Sequence, residues 1–349
     1  MSKLTIADVA RLAKVSTSSV SNVLNDRSNR MRPVTKERIQ HVIEKLGYTP
    51  NLAARQLKTG QAHIIGLIVP SVANPFYGIF ARLIEKAALT SGYQVLLGNS
   101  ERDPVRERRY AEELWGYGVR GIIFGSSLAQ FTHLEKLINN GMHVVAFDRP
   151  TQQGDRFIID SISVDNIQAT RLTTKHLLAL GHSRIGFISG PIRTVSRLDR
   201  LKGYRDSLQE ANIEFDQQLV WEGVATNFGD TAAVALGRQG AHDLLSRPKP
   251  PTAIIAINDM YAFGVYTGAR DLGLKIPDDV SVTGVDDITL VEVVEPPLTT
   301  VHQPIRDITR FAIERLISRI QDTCNQPPGH KTVSPKLIVR KSTAHYQKS

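Results

Sequence analysis

The sequence has a single cysteine, and this scarcity limits the kinds of protein that it can encode. Cys324 has no second cysteine with which to form an intrachain disulfide, so a disulfide-rich secreted scaffold is excluded and a reducing compartment is expected. The sequence also lacks any stretch of about 18 uncharged apolar residues, which a transmembrane helix requires. The residues after Met1 contain no apolar segment of the signal-peptide kind, so the expected location is the cytoplasm.

Patterns that identify common enzyme and metal sites are missing or misplaced. The histidines show no metal-ligand spacing, and there is no Walker loop for phosphate binding. Residues 116–121 match G-x-G-x-x-G, but they precede the apolar run Ile122–Phe124, whereas the dinucleotide motif follows a strand. Asp286 and Asp287 have no evident nucleophile, base or metal-ligand partner. We therefore predict neither enzyme activity nor a cofactor.

Positive charge is concentrated at one end of the chain. The 349 residues, 41% hydrophobic and 22% charged, indicate a globular protein of two or three domains with a formal net charge of +9. Residues 1–60 contain eleven basic and four acidic side chains, so this segment alone carries +7. A basic surface is often merely solvated, but neutralising phosphates requires clustered charge of this kind. The distribution favours a nucleic-acid partner for the N-terminal segment.

Apolar periodicity predicts three short helices within residues 1–47. Thr5 is expected to cap the first helix and Ser16 the second, after a break at residues 14–15. Thr35 is expected to open the third helix, and Gly47 can end it. Two short helices joined by a tight turn and packed by a third form a helix-turn-helix unit.

The second predicted helix carries small polar side chains on the face that its apolar residues leave free. These are Thr17, Ser18, Ser21 and Asn22. Short hydroxyl and amide groups allow a helix to lie deep in the major groove, and asparagine can bond adenine through two hydrogen bonds. An ordinary solvated helix face produces the same pattern, so periodicity alone leaves both interpretations open.

The segment from Thr5 to Asn25, TIADVARLAKVSTSSVSNVLN, resembles the headpiece of the lactose-repressor (LacI/GalR) family of bacterial transcription regulators. The resemblance implies that Thr17, Ser18 and Asn22 face bases. It also implies contacts to backbone phosphates from Thr5, Ser16, Ser21 and Asn25. Many members of the family have arginine at the position of Asn22, so the resemblance does not imply the operator sequence.

The segment GYTPNLAARQLKTGQ, residues 47–61, follows the third predicted helix. Its central part, residues 51–58, is shorter than the ~12–15 residues that an isolated helix needs, and composition alone favours an ordinary linker. The segment is, however, similar to the hinge helix of the same family. That similarity implies that Leu57 wedges into the minor groove, with Arg55 and Lys58 beside phosphates or the groove floor.

From His63 onward, apolar runs alternate with amphipathic helices, which predicts parallel sheets with crossover helices in two lobes. The runs are Ile64–Val69, Val95–Leu97, Ile122–Phe124, Val144–Phe147, Ile185–Ile188, Ile254–Ile257 and Val280–Val285. Polar groups follow several of these runs, including Asn74, Asp148, Asn258 and Asp286. Ligands bind beyond the carboxyl ends of parallel strands, although each of these side chains could instead cap a helix.

Several later segments, among them IGLIVPSVANPFYGIF and AINDMYAFGVY, resemble the sensor of the same family. The resemblance implies the two-lobed fold of type I periplasmic sugar-binding proteins, with an effector cleft between the lobes. Carried over by position, the effector contacts would be Phe76, Tyr77, Asp148, Ser196, Arg200, Asn258 and Asp286. Two further arginines, Arg193 and Arg197, would suit an anionic effector such as a sugar acid or phosphate, but exposed surface is the preferred interpretation.

The expected fold is α/β: an N-terminal helix-turn-helix headpiece followed by a two-lobed sensor like the type I periplasmic binding proteins, with parallel sheets. The expected division is a DNA-binding domain 1–47, a hinge helix and linker 48–60, and an effector-binding core 61–349, with an N-lobe of about 61–162 plus 292–322 and a C-lobe of about 163–291 plus 323–349. The expected partners are an operator in double-stranded DNA, a second copy of the chain, and a sugar, sugar acid or nucleoside-like effector, with no membrane.

Two rival functions predict features that this sequence lacks. A transport binding protein would share the sensor fold but have a signal peptide and no basic headpiece. A nicotinamide-dependent enzyme would need its glycine motif between a strand and a helix.

Overall fold

The computed structural model describes residues 4–24, 28–29, 31–49, 63–128, 131–153, 155–156, 158–224 and 232–347. The chain divides into two compact units, residues 1–62 and 63–349, and each is described by itself. Among the helices of the described residues, none is both long enough and apolar enough to cross a lipid bilayer.

The described residues of the first unit form a three-helix bundle, as the apolar periodicity predicts. Its helices are α1 (Ile6–Leu12), α2 (Thr17–Leu24) and α3 (Pro33–Leu46). Its buried apolar core consists of Val9, Ala10, Ala13, Val20, Val23, Ile39 and Tyr48. Because all three helices contribute to one core, α1 and α2 form a helix-turn-helix with α3 packed against it.

The ends of these helices follow the capping chemistry in the sequence, with one correction. Asp8 accepts hydrogen bonds from the Thr5 backbone N–H at 3.1 Å and from the Thr5 hydroxyl at 2.7 Å. The Ser16 hydroxyl oxygen accepts the Ser19 N–H at 3.2 Å, so Ser16 caps α2. Helix α3 begins at Pro33, two residues before the expected Thr35, because proline suits the first position of a helix.

The second unit alternates strands and helices. Its strands are β1 (Ile64–Val69), β2 (Gln94–Asn99), β3 (Gly121–Phe124), β4 (His143–Phe147), β5 (Asp160–Val164), β6 (Ile185–Ser189), β7 (Val220–Glu222), β8 (Ala253–Ala256), β9 (Ser281–Asp286), β10 (Thr299–His302), β11 (His330–Val333) and β12 (Lys336–Ile338). Its α-helices are α4 (Pro75–Thr90), α5 (Pro104–Gly116), α6 (Glu135–Asn139), α7 (Asn166–Ala179), α8 (Val195–Glu210), α9 (Ala233–Leu245), α10 (Asp259–Asp271) and α11 (Ile305–Ile320).

Within the described residues, the strands form two six-stranded sheets, one in each lobe. The first sheet has the order β11-β5-β4-β3-β1-β2 and is parallel throughout. The second has the order β12-β10-β9-β8-β6-β7, in which only β12 runs antiparallel to its neighbour. Most of the continuous apolar runs are strands covered on both faces, but the run Val95–Leu97 lies in the edge strand β2, where Leu96 and Leu97 are exposed.

Alternation along the strands divides the core of the first lobe between two layers of helices. Ile68 and Ile122 pack on one face with residues of α5, whereas Leu67 and Ile123 pack on the other with residues of α4 and α11. Residues 116–121 connect the end of α5 to the start of β3, which is the helix-to-strand turn inferred from the sequence.

The chain passes between the lobes three times, at residue 165, at residues 303–304 and at residues 334–335. Two segments consequently differ from the expected division. Strand β10 lies in the second sheet although 292–322 was expected in the N-lobe, and β11 lies in the first sheet although 323–349 was expected in the C-lobe. Both strands pair with strands that are distant in the sequence. Hydrophobic periodicity within a short segment indicates a strand but not the sheet that it joins.

Candidate functional site

The first unit presents the polar face of α2. Thr17, Ser18 and Asn22 are exposed and Ser21 is half-buried, whereas Val20 and Val23 of the same helix are buried. Thr5 and Ser16, at the starts of α1 and α2, are also exposed. The six side chains therefore lie at the surface of the helix-turn-helix, where a short polar helix face can enter a groove.

In the second unit, a cavity forms where the carboxyl ends of strands from both sheets meet. It is lined by Asn74, Phe76, Tyr77, Arg102, Phe147, Asp148, Ser196, Arg197, Arg200, Ile257, Asn258, Asp286 and Gln303. Asp148 directly follows β4, Ile257 and Asn258 follow β8, Asp286 ends β9, and Gln303 follows β10. This is the position at which parallel sheets bind ligands.

A chain of hydrogen bonds crosses the cavity from one lobe to the other. Asp148, on the first lobe, accepts a bond from Asn166 Nδ2 at 2.7 Å. Asn166 Oδ1 in turn accepts a bond from Arg200 Nε at 2.8 Å, and Arg200 Nη1 donates to the Ile257 carbonyl at 2.6 Å. Burial raises the pKa of Asp148, and the nearby Arg200 guanidinium opposes this shift.

Other side chains of the cavity lining add acceptors and aromatic rings. Gln303 Nε2 donates to Asp286 Oδ1 at 2.6 Å. The Asn258 side chain caps α10 by accepting the Tyr261 N–H at 3.1 Å. The rings of Phe76 and Phe147 stack with centroids 5.9 Å apart, which gives the polar site one apolar surface.

The two lobes also contact each other beside the cavity through a segment that we call the cleft bridge, residues 127–128 and 194–196. The Val195 N–H donates to the Ser127 carbonyl at 2.9 Å, and the Ser196 N–H donates to Ser127 Oγ at 3.3 Å. The hydroxyl oxygens of Ser127 and Ser196 are 3.1 Å apart. Leu128 and Thr194 form an isolated antiparallel bridge.

With these contacts made, the cavity is small. Its volume is about 30 Å³, room for about two water molecules. Pockets that hold a drug-sized ligand are roughly 300–1,000 Å³. In this arrangement the cavity therefore has no room for a molecule of that size.

Two family descriptions match the chain. Residues 5–51 match "Bacterial regulatory proteins, lacI family", and residues 174–343 match "Periplasmic binding protein-like domain". The HTH-type transcriptional regulator DegA of Bacillus subtilis (strain 168) is 33% identical over 342 residues, which cover 98% of either chain. The chain belongs to the LacI family.

Solved structures of transcription regulators resemble this one over nearly its full length. The structure of the lac repressor dimer bound to operator and the anti-inducer ONPF has a TM-score of 0.84 and 27% identity, with 98% of this chain and 99% of that chain covered. The CelR–cellobiose complex has a TM-score of 0.72 and 30% identity, with 97% and 99% covered. This LacI-family protein is a DNA-binding transcription regulator with an effector-binding domain, and its relatives are regulators rather than enzymes.

All seven sensor residues expected in this LacI-family protein line the one cavity: Phe76, Tyr77, Asp148, Ser196, Arg200, Asn258 and Asp286. On the headpiece side, Asn25, Arg55, Leu57 and Lys58 lie outside the described residues.

Sequence reasoning missed other residues of the cavity, including Arg102, Phe147, Ile257 and Gln303. It also preferred an exposed position for Arg197, which is wrong: Arg197 is buried in the cavity wall, whereas Arg193 is exposed. The available signal was helical spacing, because Arg197 lies three residues before Arg200 and shares its face of α8, whereas Arg193 precedes the helix.

Proposed function

We propose that this protein is a cytoplasmic repressor that binds a pseudo-palindromic operator as a homodimer and is controlled by a small polar effector in the cavity. Two headpieces related by a two-fold axis would read two half-sites of the operator. The observation that carries the effector site is the convergence of the seven expected residues, contributed by both lobes, on one cavity.

For DNA, we propose that Thr17, Ser18 and Asn22 contact bases, with backbone phosphates held by Thr5, Ser16, Ser21 and Asn25. The exposure of the α2 face supports this assignment, since small polar side chains permit close approach to base edges. The family pattern supports a hinge in residues 48–60, with Leu57 as the minor-groove wedge and Arg55 and Lys58 as basic contacts.

For the effector, we propose a sugar or sugar derivative. Carboxylate, amide and guanidinium groups suit vicinal hydroxyls because each offers paired hydrogen-bonding atoms. Asp148, Asp286, Asn258 and Arg200 supply these groups, and Phe76 supplies an apolar wall. The cellobiose complex of the similar CelR regulator supports this class of ligand.

For regulation, we propose that effector binding changes the separation of the lobes and thereby the arrangement of the hinge. The effector can enter only when the cleft bridge opens, so it binds the open and closed states with different affinities. A ligand shifts an equilibrium only through such a difference. Couplings of this kind typically change affinity about 5- to 150-fold.

DNA recognition is tested by selecting binding sites from random duplexes with the full chain and measuring affinity by fluorescence anisotropy at several salt concentrations. We expect a two-fold symmetric motif and an affinity that falls steeply with salt. Asn22→Ala should lose selectivity at one base of each half-site, whereas Gln40→Ala, exposed on α3, should retain it. Binding without any sequence preference would contradict the proposal.

Effector control is tested by thermal-shift screening of sugars and sugar derivatives, followed by operator binding in the presence of each compound that stabilises the protein. Ligands that bind only the folded state raise its unfolding temperature. Arg200→Ala should abolish the response to the compound while the operator affinity of the ligand-free protein remains. A fully responsive variant would remove Arg200 from the site.

A further inference from the structure

We infer that Asn166 is a positioning residue of the effector site, which holds the Asp148 carboxylate and the Arg200 guanidinium apart so that both remain available to the effector. This inference rests on the proposed function, because it concerns the same cavity. Asn166 is not one of the described residues that line the cavity, but it is hydrogen-bonded to two that are. Because Asn166 is only 3% exposed, it acts on an effector through these two neighbours.

The Asn166 amide joins the two lobes. Asn166 is the first residue of α7 and directly follows residue 165, where the chain passes between the lobes. Its Nδ2 donates to two oxygens of the first lobe, Asp148 Oδ1 at 2.7 Å and the Val164 carbonyl at 3.2 Å. Its Oδ1 accepts from Arg200 Nε of the second lobe at 2.8 Å. The amide therefore directs its donors at the carboxylate and its acceptor at the guanidinium.

Asparagine suits this position because one short side chain must offer a donor on one side and an acceptor on the other. Asp148 and Arg200 are 6% and 7% exposed, and opposite charges attract each other strongly where water is excluded. With nothing between them, the two groups would form a direct ion pair, which an effector would have to break. A neutral amide between them satisfies both groups in part and leaves their remaining hydrogen-bonding atoms for a ligand.

The crossings between the lobes fix the position of this amide. Asp165 caps α7 by accepting the Gln168 N–H at 2.8 Å, and its own N–H donates to the Val333 carbonyl at 3.0 Å. Residue 333 ends β11, next to the crossing at residues 334–335. Two of the three crossings therefore hold the start of α7, so we expect a change in lobe separation to change the bonds of the amide.

Arg200 reaches the amide because α8 packs closely on α7. A Cβ atom at Gly203, three residues after Arg200, would lie 2.2 Å from the Ile167 carbonyl oxygen. Helices can approach this closely only where no side chain lies between them. Arg200 Nη1 also donates to the Ile257 carbonyl at 2.6 Å. Close packing and this second hydrogen bond hold the guanidinium against the amide.

A crystal structure of the full chain without ligand provides the first test. In Asn166→Ala we expect the Arg200 guanidinium to move to ion-pair distance from Asp148, with about 4 Å or less between nitrogen and oxygen. The two side chains should keep their positions in Gln168→Ala, which removes an amide two residues further along at an exposed position. If Arg200 and Asp148 stay in place without the Asn166 amide, its role as a spacer is wrong.

Effector affinity, measured by calorimetry, provides the second test. D-Ribose, D-glucose, D-galactose and cellobiose are first compared by thermal shift, and the sugar that stabilises the unaltered protein most is the probe. Asn166→Ala should weaken binding of that sugar about ten- to hundredfold, because it removes the hydrogen bonds that orient two charged groups. Gln168→Ala should bind the sugar as the unaltered protein does.

Asn166→Asp adds a pH profile, which a purely structural role would not produce. The substitution keeps the size of the side chain but places a second carboxyl beside Asp148, and two such groups share one proton over a wide range of pH. With that proton, the introduced carboxyl donates to Asp148 as the amide does; without it, two carboxylates repel each other. Affinity for the probe sugar should be within about threefold of the unaltered protein at about pH 5 and fall about ten- to hundredfold below it by about pH 8.

Each affinity is divided by that of the unaltered protein at the same pH, because other groups nearby are charged. The charged groups of this neighbourhood are Asp148, Asp165, Asp199, Arg200 and Lys202. Burial, and then the charge of Asp148, raises the pKa of Asp199 to about 6, so Asp199 titrates in the same range in every variant. Gln168→Glu introduces the same charge at an exposed position, and its ratio should not change with pH.

The outcomes separate this inference from the proposed function. A ratio that stays constant with pH in Asn166→Asp, or equal losses in the Gln168 variants, overturns the positioning role. If Asn166→Asp does not fold, the affinity and the crystal structure of Asn166→Ala decide. If none of the four sugars stabilises the unaltered protein, the proposed sugar effector fails, whereas the positions of Arg200 and Asp148 in Asn166→Ala still decide the role of Asn166.

Discussion

The cleft bridge makes a quantitative prediction for Ser127→Ala. The Ser127 hydroxyl oxygen accepts the Ser196 N–H at 3.3 Å and lies 3.1 Å from the Ser196 hydroxyl oxygen, so the substitution removes one or two hydrogen bonds between the lobes. Each contributes about 1 kcal/mol net, so the loss of one or two destabilises the closed arrangement by about 1–2 kcal/mol. The open population should therefore rise about 5- to 30-fold.

Amide hydrogen exchange of one backbone N–H, that of Val195, measures this opening of the cleft bridge. The Val195 N–H donates to the Ser127 backbone carbonyl at 2.9 Å, an acceptor that alanine retains, so its exchange depends on separation of the lobes. We expect its exchange rate to rise by the same 5- to 30-fold. The Ile257 N–H, bonded to the Ile188 carbonyl within the second sheet, should not change.

Ser126→Ala is the matched control. Ser126 is adjacent and fully buried, but its hydroxyl has no hydrogen-bond partner in the described part of the chain. Ser127 has φ +58°, a left-handed conformation that is unfavourable for a residue with a Cβ atom. Serine and alanine both have a Cβ atom, so Ser127→Ala leaves this conformational cost about the same. Unchanged Val195 exchange in Ser127→Ala, or an equal increase in Ser126→Ala, would refute the reasoning.

Three further predictions concern the headpiece, a titrating group and helix packing. Asn22→Arg should shift base preference from adenine towards guanine at one half-site position, and an unchanged selected motif would exclude Asn22 from base contact. Burial, and then the charge of Asp148, raises the pKa of Asp199 to about 6, so the folded state holds its proton more tightly. The contribution of Asp199 to the free energy of unfolding should fall by about 1–2 kcal/mol as pH rises from about 4 to 6, and Asp199→Asn should remove this contribution from the pH dependence; an unchanged slope would contradict it. Gly203→Ala would bring a Cβ atom to 2.2 Å from the Ile167 carbonyl oxygen and should cost about 1–3 kcal/mol in a thermal melt, whereas Gly116→Ala, with no described atom within 4 Å, should cost almost nothing.

The sequence by itself determined the features that depend on neighbouring residues. Apolar residues that recur with a period of about 3.6 predicted the three helices of the headpiece, and Val9, Val20 and Ile39 each lie on the core face of one of them. The Ser16 side chain predicted the start of α2. Continuous apolar runs such as Ile64–Val69 located strands buried on both faces. These signals are local because backbone hydrogen bonding and helix capping involve residues a few positions apart. The family resemblance predicted the seven cavity residues, but it did not explain why they lie together in the structure.

Only the tertiary structure decided which side chains share the cavity. Arg102 and Gln303 are about two hundred positions apart in the chain, and they lie together because the sheets place their strand ends at one edge. Sheet membership of β10 and β11 depends on the three passages between lobes, which short segments do not encode. Arg197 was expected at the surface since an arginine in a polar helix is usually exposed, and the packing around Gly190 buries it instead. Pairing and packing between residues distant in sequence decide which sheet β10 and β11 join and whether Arg197 is buried. The local sequence pattern is compatible with either sheet for a strand, and with a buried or an exposed position for an arginine on a helix.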